Sequence, residues 1–381
     1  MEKADVVIIG GGVMGTSTAY HLAKLGCKDV VLVERKTLAS GSTGLSAGGI
    51  RLQFSMEANI RLSMESLRYF EHFAEEFDTE IDFRQYGYLF LATEPQDWAE
   101  FQANVAIQQR MGVPVRLLSP EEIHEMAPYL YLEDVLGGTF CPCDGYADPY
   151  SVAMGFAKQA RRLGVSIREE TEALDIEVSG GRVRAVVTNK GKIATPVVVN
   201  VAGPWAAQVG RMAGVELPVQ PYRRQVFVTA PFYELPRQIP MIIDFAPSFY
   251  FRREGASILM GMTDHEEPPS FNNRFDLEFL VKVAEKAAHR APVLDRADFM
   301  RGWGGLYAVT PDDNPVIGKD IGGVEGFYCA VGFSGHGFQQ SPAVGRILAD
   351  LITSGQTDFD LEPFRLERFR AEEVRGERRV V

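Results

Sequence analysis

Residues 5–34 read DVVIIGGGVMGTSTAYHLAKLGCKDVVLVE, and this stretch decides the fold. Its first five residues are mostly apolar and β-branched, and they stop at a glycine cluster. After the cluster, apolar side chains recur at helical spacing, at Tyr20, Leu22, Ala23 and Leu25. The pattern predicts a strand, a tight turn and a helix, in that order.

The three glycines of the pattern GxGxxG have separate tasks. Gly10 permits the turn, Gly12 lets backbone N–H groups approach a pyrophosphate, and Gly15 lets the helix pack on the strand. The helix N-terminus then faces the phosphates with its unpaired amides. A second apolar run, 29–33, ends in Glu34, about 20 residues further on, where an acid binds ribose hydroxyls. These features predict a dinucleotide site and exclude NADP, but they leave FAD and NAD open.

Composition and charge narrow the class of protein. The chain has 381 residues, a formal net charge of −12 and 46% hydrophobic residues, which predicts a large core and two domains. The negative charge argues against a nucleic-acid or anionic-membrane partner. No apolar run has the length of a membrane span, and the N-terminus enters the first strand directly. We therefore expect no signal peptide and a cytoplasmic location.

The cysteines and histidines do not predict a metal site. Cys27, Cys141, Cys143 and Cys329 are too few and too scattered for a disulfide framework, so we interpret all four as structural. The six histidines are dispersed as well. Neither residue type has the spacing of a metal-binding cluster.

A segment rich in glycine and serine, residues 39–50, follows the second strand and reads ASGSTGLSAGGI. A flexible linker is one interpretation, but linkers do not usually lead from an acid-tipped strand into a long amphipathic helix such as 57–77. The other is a loop whose amides and hydroxyls wrap a cofactor. The segment ends at Arg51, which forms either a surface salt bridge or a buried contact to a substrate carboxylate.

The rest of the chain alternates predicted strands and helices. Two further glycine-rich segments open helices, at 203–205 (GPW) and 332–338 (GFSGHGF), which indicates a large cofactor held at several points. Between 223 and 303 the chain has mainly strand character, which predicts an antiparallel sheet with one helix. Other predicted strands are 83–93, 135–141, 166–178, 182–189 and 192–201, and the predicted helices are 57–77, 98–111, 120–126, 150–163, 277–290 and 339–353.

Five motifs, taken in order, carry a resemblance to a known family. They are VVIIGGGVMGTSTAYHLA with Glu34 and Arg35, then ASGSTGLSAGGIR, NVAGPWA, RGWGGLYAVTPDDNPVIG and GFSGHGF. Over nearly its whole length the chain resembles the flavoprotein amine and amino-acid oxidoreductases of the D-amino-acid oxidase superfamily. Its pattern is similar to the group of sarcosine oxidase β-subunit, glycine oxidase and L-proline dehydrogenase β-subunit.

The resemblance implies an α/β fold, with a Rossmann-like FAD-binding domain (βαβ, GxGxxG) and an interleaved antiparallel-sheet substrate domain. Both implied domains are discontinuous in sequence. The expected boundaries are 1–82, 145–220 and 302–365 for the FAD-binding domain, 83–144 and 221–301 for the substrate-binding domain, and 366–381 for a C-terminal tail.

The resemblance also implies which residues contact FAD. The N-terminus of the last helix would lie at the pyrimidine edge of the flavin, where it stabilises the negative charge of the reduced form. The implied contacts are Gly10, Gly12, Val13, Met14 and Gly15 at the pyrophosphate; Glu34 at the ribose and Arg35 at the adenine; Ser42, Thr43, Ser46, Ala47, Gly48, Gly49 and Ile50 along the flavin; Ala173 on the adenine side; Gly203 and Trp205 at the middle; Leu306 as a further cofactor contact; and Gly332, Gly335, His336, Gly337, Phe338 and Gln339 at the pyrimidine edge.

For the substrate, the resemblance places Arg51 against a carboxylate, Tyr250 and Tyr307 in the pocket and His336 near the flavin. Each residue also has a structural interpretation. The two tyrosines lie in strand-like stretches, where aromatic residues are common for packing alone. The histidine stands between two glycines and fits a structural role, and Arg301 is an alternative carboxylate anchor or a support of the sheet.

The chain departs from the family pattern at three positions. Gly305 stands where some members carry a flavin-linked cysteine, and the loop that carries the linking histidine in others has no histidine here, so we expect noncovalent FAD. Monomeric sarcosine oxidases have an oxygen-activating lysine where Leu259 or Met260 stands, which predicts that oxygen is a poor acceptor. They also have a lysine for the carboxylate where Gln339 stands, so either the anion is held differently or the substrate differs.

The expected reaction is FAD-dependent oxidation of a small amino acid or N-methyl amino acid, similar to sarcosine, proline or glycine, to the imine by hydride transfer to flavin N5. The expected partners are this substrate and an electron acceptor or partner subunit. A rival hypothesis is the FAD-carrying β subunit of a heteromeric amino-acid dehydrogenase or oxidase, which the missing lysine favours. An NAD-dependent dehydrogenase leaves the two later glycine-rich junctions unexplained.

Overall fold

The computed structural model describes residues 2–370, 376 and 377. Its strands are β1 Glu2–Lys3, β2 Val6–Ile9, β3 Val30–Val33, β4 Gly49–Ile50, β5 Tyr88–Ala92, β6 Arg116–Leu118, β7 Gly137–Cys141, β8 Gly145–Tyr146, β9 Ser166–Arg168, β10 Ala173–Ser179, β11 Arg182–Thr188, β12 Gly191–Ala194, β13 Val197–Asn200, β14 Gln220–Thr229, β15 Met241–Asp244, β16 Phe249–Glu254, β17 Ser257–Met262, β18 Phe299–Val309, β19 Val316–Gly318 and β20 Phe327–Val331. Its α-helices are α1 Val13–Lys24, α2 Glu57–Glu71, α3 Phe73–Phe77, α4 Pro95–Arg110, α5 Pro120–Met126, α6 Pro149–Arg162, α7 Ala206–Met212, α8 Leu277–Arg290 and α9 Gly337–Ser354.

A six-stranded sheet forms around the strand of the opening motif, in the order β19-β20-β13-β2-β3-β9. The strands from β20 to β9 run parallel, and β19 pairs antiparallel with β20. Every residue of β2 and β3 is buried, as expected for parallel strands that are covered on both faces. The predicted βαβ unit is therefore confirmed, with β2 and β3 as neighbours and α1 between them in sequence.

Alternate residues of the central strands face different layers. Ile8 and Leu32 belong to an apolar core with α1, α6 and α9. Val7 and Val31 belong to a second core with α7 and the four-stranded sheet β1-β12-β11-β10. Because successive side chains of a strand point to opposite faces, the six-stranded sheet is the middle layer of three.

An eight-stranded sheet, in the order β18-β14-β17-β16-β15-β5-β7-β6, forms the other half of the fold. Its strands pair antiparallel except β15 with β5, which are parallel. One face, with Phe249 and Phe251, packs on α5 and α8. The opposite face carries Tyr250 and Leu259 and packs against Ala47 of the glycine-serine segment.

The two large sheets take strands from interleaved parts of the chain. The eight-stranded sheet uses strands between 88 and 141 and between 220 and 309, and the six-stranded sheet uses the rest of the long strands apart from β10, β11 and β12. The exact boundaries of the two domains stay a prediction. Of the predicted C-terminal tail, 371–375 and 378–381 lie outside the described residues.

Three predicted elements are wrong in extent. The predicted strand 166–178 is two strands in different sheets, β9 and β10, and Glu170 between them has a left-handed φ of 51°. The predicted strand 192–201 divides into β12 and β13 around Pro196, which has no N–H for a strand ladder. The predicted helix 57–77 breaks at His72, where φ is −115° and ψ is 14°.

Arg290 provides a test of what holds the eight-stranded sheet to α8. Its side chain is 1% exposed, and it donates hydrogen bonds to Asp244 (2.8 Å) and Asp134 (2.8 Å). Replacing Arg290 by Met leaves the buried Asp244 carboxylate without its cation, so we expect the free energy of unfolding to fall by about 3–5 kcal/mol in urea titrations.

The matched control is Arg296→Met, because Arg296 forms an exposed ion pair with Glu234. Its loss should cost less than about 1 kcal/mol. Adding Asp244→Asn to Arg290→Met should recover part of the lost stability, because it removes the unpaired charge. Equal effects of the two arginine substitutions would contradict the assignment.

Candidate functional site

A cavity of about 490 Å³ lies where the carboxyl ends of β2, β3 and β13 meet the eight-stranded sheet. Open parallel sheets bind their ligands at this edge. The predicted cofactor residues that line it are Gly10, Gly12, Val13, Met14, Glu34, Arg35, Ser42, Thr43, Ser46, Ala47, Ala173, Gly203, Trp205, Leu306, Gly332, Gly335, Gly337 and Phe338. Gly15, Gly48, Gly49, Ile50, His336 and Gln339 lie outside this lining.

At two positions of the first turn there is no room for a Cβ, so only glycine fits. Gly10 has a φ of +122°, and a Cβ there would lie 2.6 Å from the carbonyl oxygen of Val201. A Cβ at Gly15 would overlap the carbonyl oxygen of Gly10, so α1 packs directly on the end of β2. The N-terminus of α1 thereby lies at the cavity, where its free amides can bind a phosphate.

Two polar side chains of the cavity wall bind the backbone of this turn. Glu34 accepts hydrogen bonds from the amides of Gly11 (2.8 Å) and Lys36 (2.8 Å). Thr43 Oγ1 accepts one from the amide of Val13 (3.0 Å). The turn is thus held in place by the residues predicted for the ribose and the flavin.

Trp205 forms the centre of a stack at the mouth of the cavity. The Arg35 guanidinium lies 3.8 Å from one Trp205 ring, and the Phe271 ring stacks at 5.6 Å with an interplanar angle of 18°. All three residues line the cavity. Phe271 was not predicted from the sequence, because it lies in an irregular segment between β17 and α8 that carries no motif.

The glycine-serine segment 39–50 ties the two large sheets together. Ser42 Oγ donates to the carbonyl oxygen of Leu306 (2.6 Å), and Arg252 Nη2 donates to that of Ala47 (2.7 Å). Gly48 and Gly49 lie outside the cavity, where a Cβ would overlap Ala147 O and the Tyr88 hydroxyl respectively. The segment is therefore a packed loop that meets the cavity with one side, as the cofactor-loop interpretation predicts.

The third glycine-rich junction opens α9 at the cavity. Gly335 has a φ of +105°, and a Cβ there would overlap the Tyr307 ring. The turn thus lies directly against a predicted pocket residue. Because α9 has 18 residues, its N-terminus at Gly337 presents a positive end to the cavity.

Arg51 lies beside this turn and is half-buried. Its amide donates to Gln339 Oε1 (2.5 Å), Nη1 donates to the carbonyl oxygen of Gln53 (2.6 Å), and the guanidinium lies 4.2 Å from the Phe54 ring. Burial lowers the pKa of the guanidinium below its usual value. Within residues 2–370, 376 and 377, no carboxylate forms a salt bridge with it. Arg51 itself is outside the cavity lining, and its charge offsets part of the rise that burial causes in the pKa of Tyr307, a lining residue.

His336 is buried behind the cavity wall. Its ring contacts Phe54 edge-on at 5.3 Å, and Nδ1 lies 3.4 Å from Gln340 Oε1. Burial, and secondarily the charge of Arg51, lowers the pKa of His336 to about 3, so the ring is neutral at pH 7. Nε2 has no hydrogen-bond partner in the described part of the chain.

Tyr250 and Tyr307 both line the cavity, as predicted, and a third residue joins them. Burial raises the pKa of both phenols, which stay protonated at neutral pH. Arg224 also lines the cavity, with its guanidinium 5.2 Å from the Tyr307 ring. The signal for it was the pair Arg223 and Arg224 on one strand, because neighbouring strand residues face opposite sides and one arginine had to face inward.

Asp144 is a buried carboxyl that the sequence analysis did not single out. It accepts hydrogen bonds from the amide of Leu52 (2.7 Å) and from Gln53 Nε2 (2.9 Å), the two residues after Arg51. Burial raises the pKa of Asp144 to about 7. This network positions the backbone that carries the Arg51 side chain.

The positions where the chain departs from the family pattern lie as follows. Gly305 lines the cavity. Leu259 is on the same sheet face as Tyr250, whereas Met260 packs in the core of the opposite face. Arg301, the alternative carboxylate anchor, is exposed, lies 5.6 Å from the Trp303 ring and does not line the cavity.

Comparisons with known proteins show which family the chain resembles. A family model described as DAO, FAD dependent oxidoreductase, matches residues 5–351. Mitochondrial dimethylglycine dehydrogenase from Rattus norvegicus is 33% identical over 94% of this chain and 44% of its own length. Mitochondrial sarcosine dehydrogenase from Homo sapiens is 31% identical over 97% of this chain and 42% of its own. The chain thus spans less than half the length of these relatives.

Solved structures match over almost the whole chain. L-proline dehydrogenase from P. horikoshii has a TM-score of 0.92 and 37% identity, covering 98% of this chain and 100% of its own. Glycine oxidase from Geobacillus kaustophilus has a TM-score of 0.86 and 27% identity, covering 96% and 99%. These matches confirm the predicted α/β fold class and the predicted cofactor, FAD.

Two further expectations concern a membrane span and a metal site. Of the helices described in 2–370, none is long and apolar enough to cross a membrane. The described residues contain no group of three or more His, Cys, Asp or Glu side chains that could hold a metal ion.

The Gly15 contact predicts how cofactor binding responds to one methyl group. Gly15→Ala should push α1 off β2 at a cost of about 1–3 kcal/mol and weaken FAD binding roughly tenfold or more. The measurement is the ratio of flavin to protein absorbance, with circular dichroism as a check of folding. In the control Gly318→Ala, outside the cavity lining, the added Cβ meets only Ile321 Cδ1 at 3.2 Å and FAD should be retained. Unchanged FAD affinity in Gly15→Ala contradicts the prediction.

The raised pKa of Asp144 predicts a pH dependence of stability. Between the unfolded value of about 3.9 and the folded value of about 7, the folded protein holds a proton that the unfolded chain has released. The contribution of Asp144 to stability therefore falls as pH rises through this window. Subtracting the unfolding free energy of Asp144→Asn from that of the wild type should give a difference that declines between about pH 4 and 7 and is flat above. A difference independent of pH would show that the carboxyl titrates normally.

Proposed function

Because the chain belongs to the FAD dependent oxidoreductase family, we propose that it oxidises a small amino acid or N-methyl amino acid to the imine. Dimethylglycine, sarcosine, proline and glycine, named by the relatives, all carry a carboxylate beside an amine. The FAD is noncovalent, because Gly305 offers no nucleophile at the cavity wall. The cytoplasmic location stays a proposal as well.

One observation carries this proposal: the half-buried guanidinium of Arg51 forms no salt bridge with a carboxylate among the described residues, and Glu377 and Asp144 attract it only from a longer distance. A buried cation is costly unless it is paired, and Arg51 donates to a single carbonyl oxygen. A planar guanidinium binds a carboxylate through two parallel hydrogen bonds. A substrate carboxylate would supply the missing charge, with the amine carbon toward the cavity.

The cavity also fits FAD itself. The helix N-terminus at the glycine turn, which no Cβ could enter, suits a pyrophosphate. The acid Glu34 suits a ribose, and the N-terminus of α9 suits an electron-rich ring. When bound, FAD supplies a two-electron acceptor for the hydride of the substrate carbon. Of the residues predicted for its pyrimidine edge, Gly332, Gly335, Gly337 and Phe338 line the cavity, and Trp205, predicted for its middle, does so too.

The chain's own residues bind and orient the substrate. Tyr250 and Tyr307 are protonated phenols that can donate hydrogen bonds to the carboxylate and that cover the site with their rings. His336 is neutral and removed from the cavity, so it supports the wall beside Arg51 and does not exchange protons with the substrate. An amine that binds deprotonated needs no general base, and positioning supplies the rate.

A second candidate is the FAD-carrying subunit of a heteromeric complex. Exposed apolar side chains on α8, on β18 and just before α8 favour it: Phe275, Leu277, Val281, Phe299 and Met300. Leu277 and Val281 are one turn apart on α8, and the rings of Phe275 and Phe299 are 6.4 Å apart. Such patches mark contact surfaces on soluble proteins. Copurification of tagged protein with a second polypeptide supports this candidate, and a monodisperse active chain opposes it.

The test of the proposed activity is anaerobic bleaching of the bound flavin by sarcosine, L-proline, glycine and D-amino acids. Replacing Arg51 by Met should raise the Michaelis constant for the active substrate about 100-fold, because a desolvated charged contact is lost, and FAD should stay bound. A dye acceptor keeps the assay independent of oxygen. Arg301→Met is the matched control and should change nothing, since Arg301 is exposed. An unchanged Michaelis constant in Arg51→Met removes the carboxylate assignment.

A further inference from the structure

Arg224 has no role in the function proposed above, although it lines the cavity. It stands on β14, opposite Gly305 of β18 in the strand register, and its guanidinium lies 5.2 Å from the Tyr307 ring. Burial lowers the pKa of this guanidinium, as it does for Arg51. A charged group has therefore been placed at a site where water stabilises it poorly.

The other buried or half-buried arginines on the eight-stranded sheet and on α8 show what Arg224 lacks. Arg223 pairs with Glu267 at 2.6 Å, Arg252 with Glu254 at 2.6 Å and Arg290 with Asp244 at 2.8 Å. Arg253 has no such carboxylate but donates to four backbone carbonyl oxygens. Each of these guanidiniums is satisfied by the protein itself.

Arg224 is satisfied only in part. Nη1 donates to the carbonyl oxygen of Arg223 (2.9 Å), while the buried Nε has no hydrogen-bond partner within the described residues. Asp313 and Glu267 attract it from a distance, but neither forms a salt bridge with it in the described structure. Glu267 is already paired with Arg223. Because Arg224 lines the cavity, an anion bound there could supply the hydrogen-bond partner that its guanidinium lacks.

The two incompletely paired guanidiniums lie around the same ring. Arg224 lies 5.2 Å from the Tyr307 ring, and the charges of Arg224 and Arg51 both offset part of the rise in the pKa of Tyr307 that burial causes. Tyr307 also packs on Gly335, the turn at the positive end of α9. The carboxylates of the cavity wall, Glu34 and Glu172, are at the other end, beside the residues predicted for ribose and adenine.

We propose that Arg224 binds a second anionic group of the substrate, so that the preferred substrate is an amine with two carboxylates. Arg51 holds the carboxylate of the amino acid, and Arg224 holds a carboxylate on the substituent at nitrogen or on the side chain. This inference rests on the proposed function and narrows its substrate class.

The test compares sarcosine with iminodiacetate, which differ only by a carboxylate on the N-methyl carbon. Each ligand is mixed anaerobically with the purified holoenzyme, and dissociation constants come from the concentration dependence of the rate of flavin reduction, or from competition with a reducing substrate where a ligand binds without reducing the flavin. Wild-type protein should bind iminodiacetate about tenfold or more tightly than sarcosine, the contribution of one charge-assisted contact. Arg224→Met should abolish this preference and leave sarcosine affinity within about threefold.

Three further variants make the assignment specific. Arg51→Met should weaken both ligands, because both carry the first carboxylate. Arg301→Met, an exposed arginine on the neighbouring strand, should weaken neither. Arg224→Lys should keep part of the preference, since it retains the charge and loses the planar fork.

Several results would overturn the proposal. Equal affinity of the wild-type protein for sarcosine and iminodiacetate would by itself overturn it. Equal weakening of both ligands in Arg224→Met would make Arg224 a general support of the site, and loss of FAD would make it a cofactor contact. If sarcosine, proline or glycine bleaches the flavin and iminodiacetate is bound no better, the proposed function stands and this inference fails. If none of the amines changes the flavin spectrum, both fail.

Discussion

The contact between Gly15 and the carbonyl oxygen of Gly10 is the constraint on which the rest of the structure depends. No side chain fits between them, so α1 lies directly on the end of β2. Ser17, half a turn further along α1, donates to the carbonyl oxygen of Ser341 (2.8 Å), and Gly345 packs against the same serine. The position of α1 thereby fixes α9, and with it the turn that meets the pocket tyrosines. One glycine contact thus aligns two helix N-termini on one cavity.

The eight-stranded sheet is aligned with this cavity by the segment between β3 and α2. Trp303 Nε1 donates to Leu45 O (2.9 Å), Arg252 to Ala47 O (2.7 Å), and Ser42 to Leu306 O (2.6 Å). These bonds join one loop to β16 and β18. A loop with several such bonds is held like a strand, which explains why a segment with the composition of a linker forms part of a binding site. The substrate face of the sheet is thereby positioned against the cofactor residues.

Local signals in the sequence were enough to predict the frame of the fold. The first strand, its glycine turn, α1 and the start of α9 are set by backbone requirements that a few neighbouring residues determine, and they were confirmed. The strand 166–178 was wrong because its two halves pair with different sheets, β9 beside β3 and β10 beside β11. The parallel pairing of β5 with β15 joins residues about 150 positions apart in sequence, which no local pattern encodes.

The same distinction holds for the site. The lining glycines were predicted because glycine is required by the shape of the backbone, whatever lies opposite. Phe271, Asp144 and Arg224 were not predicted, because the role of each depends on the group that it faces. Phe271 faces a tryptophan 66 positions away, and Asp144 faces the backbone after Arg51. Arg224 faces a tyrosine on the neighbouring strand, two residues beyond its partner in the strand register.

The two ends of the cavity differ in charge. The chain carries a formal net charge of −12, yet the end of the cavity near Tyr307 combines the N-terminus of α9 with two arginines that lack a carboxylate partner in the described structure. Glu34 and Glu172 stand at the other end. A low-dielectric wall strengthens both fields, so the proposed anionic substrate would be attracted to the arginines, while the acid at the other end suits ribose hydroxyls. In this proposal the difference in charge between the two ends favours one orientation of cofactor and substrate, and the arginines without a salt bridge select an anionic ligand.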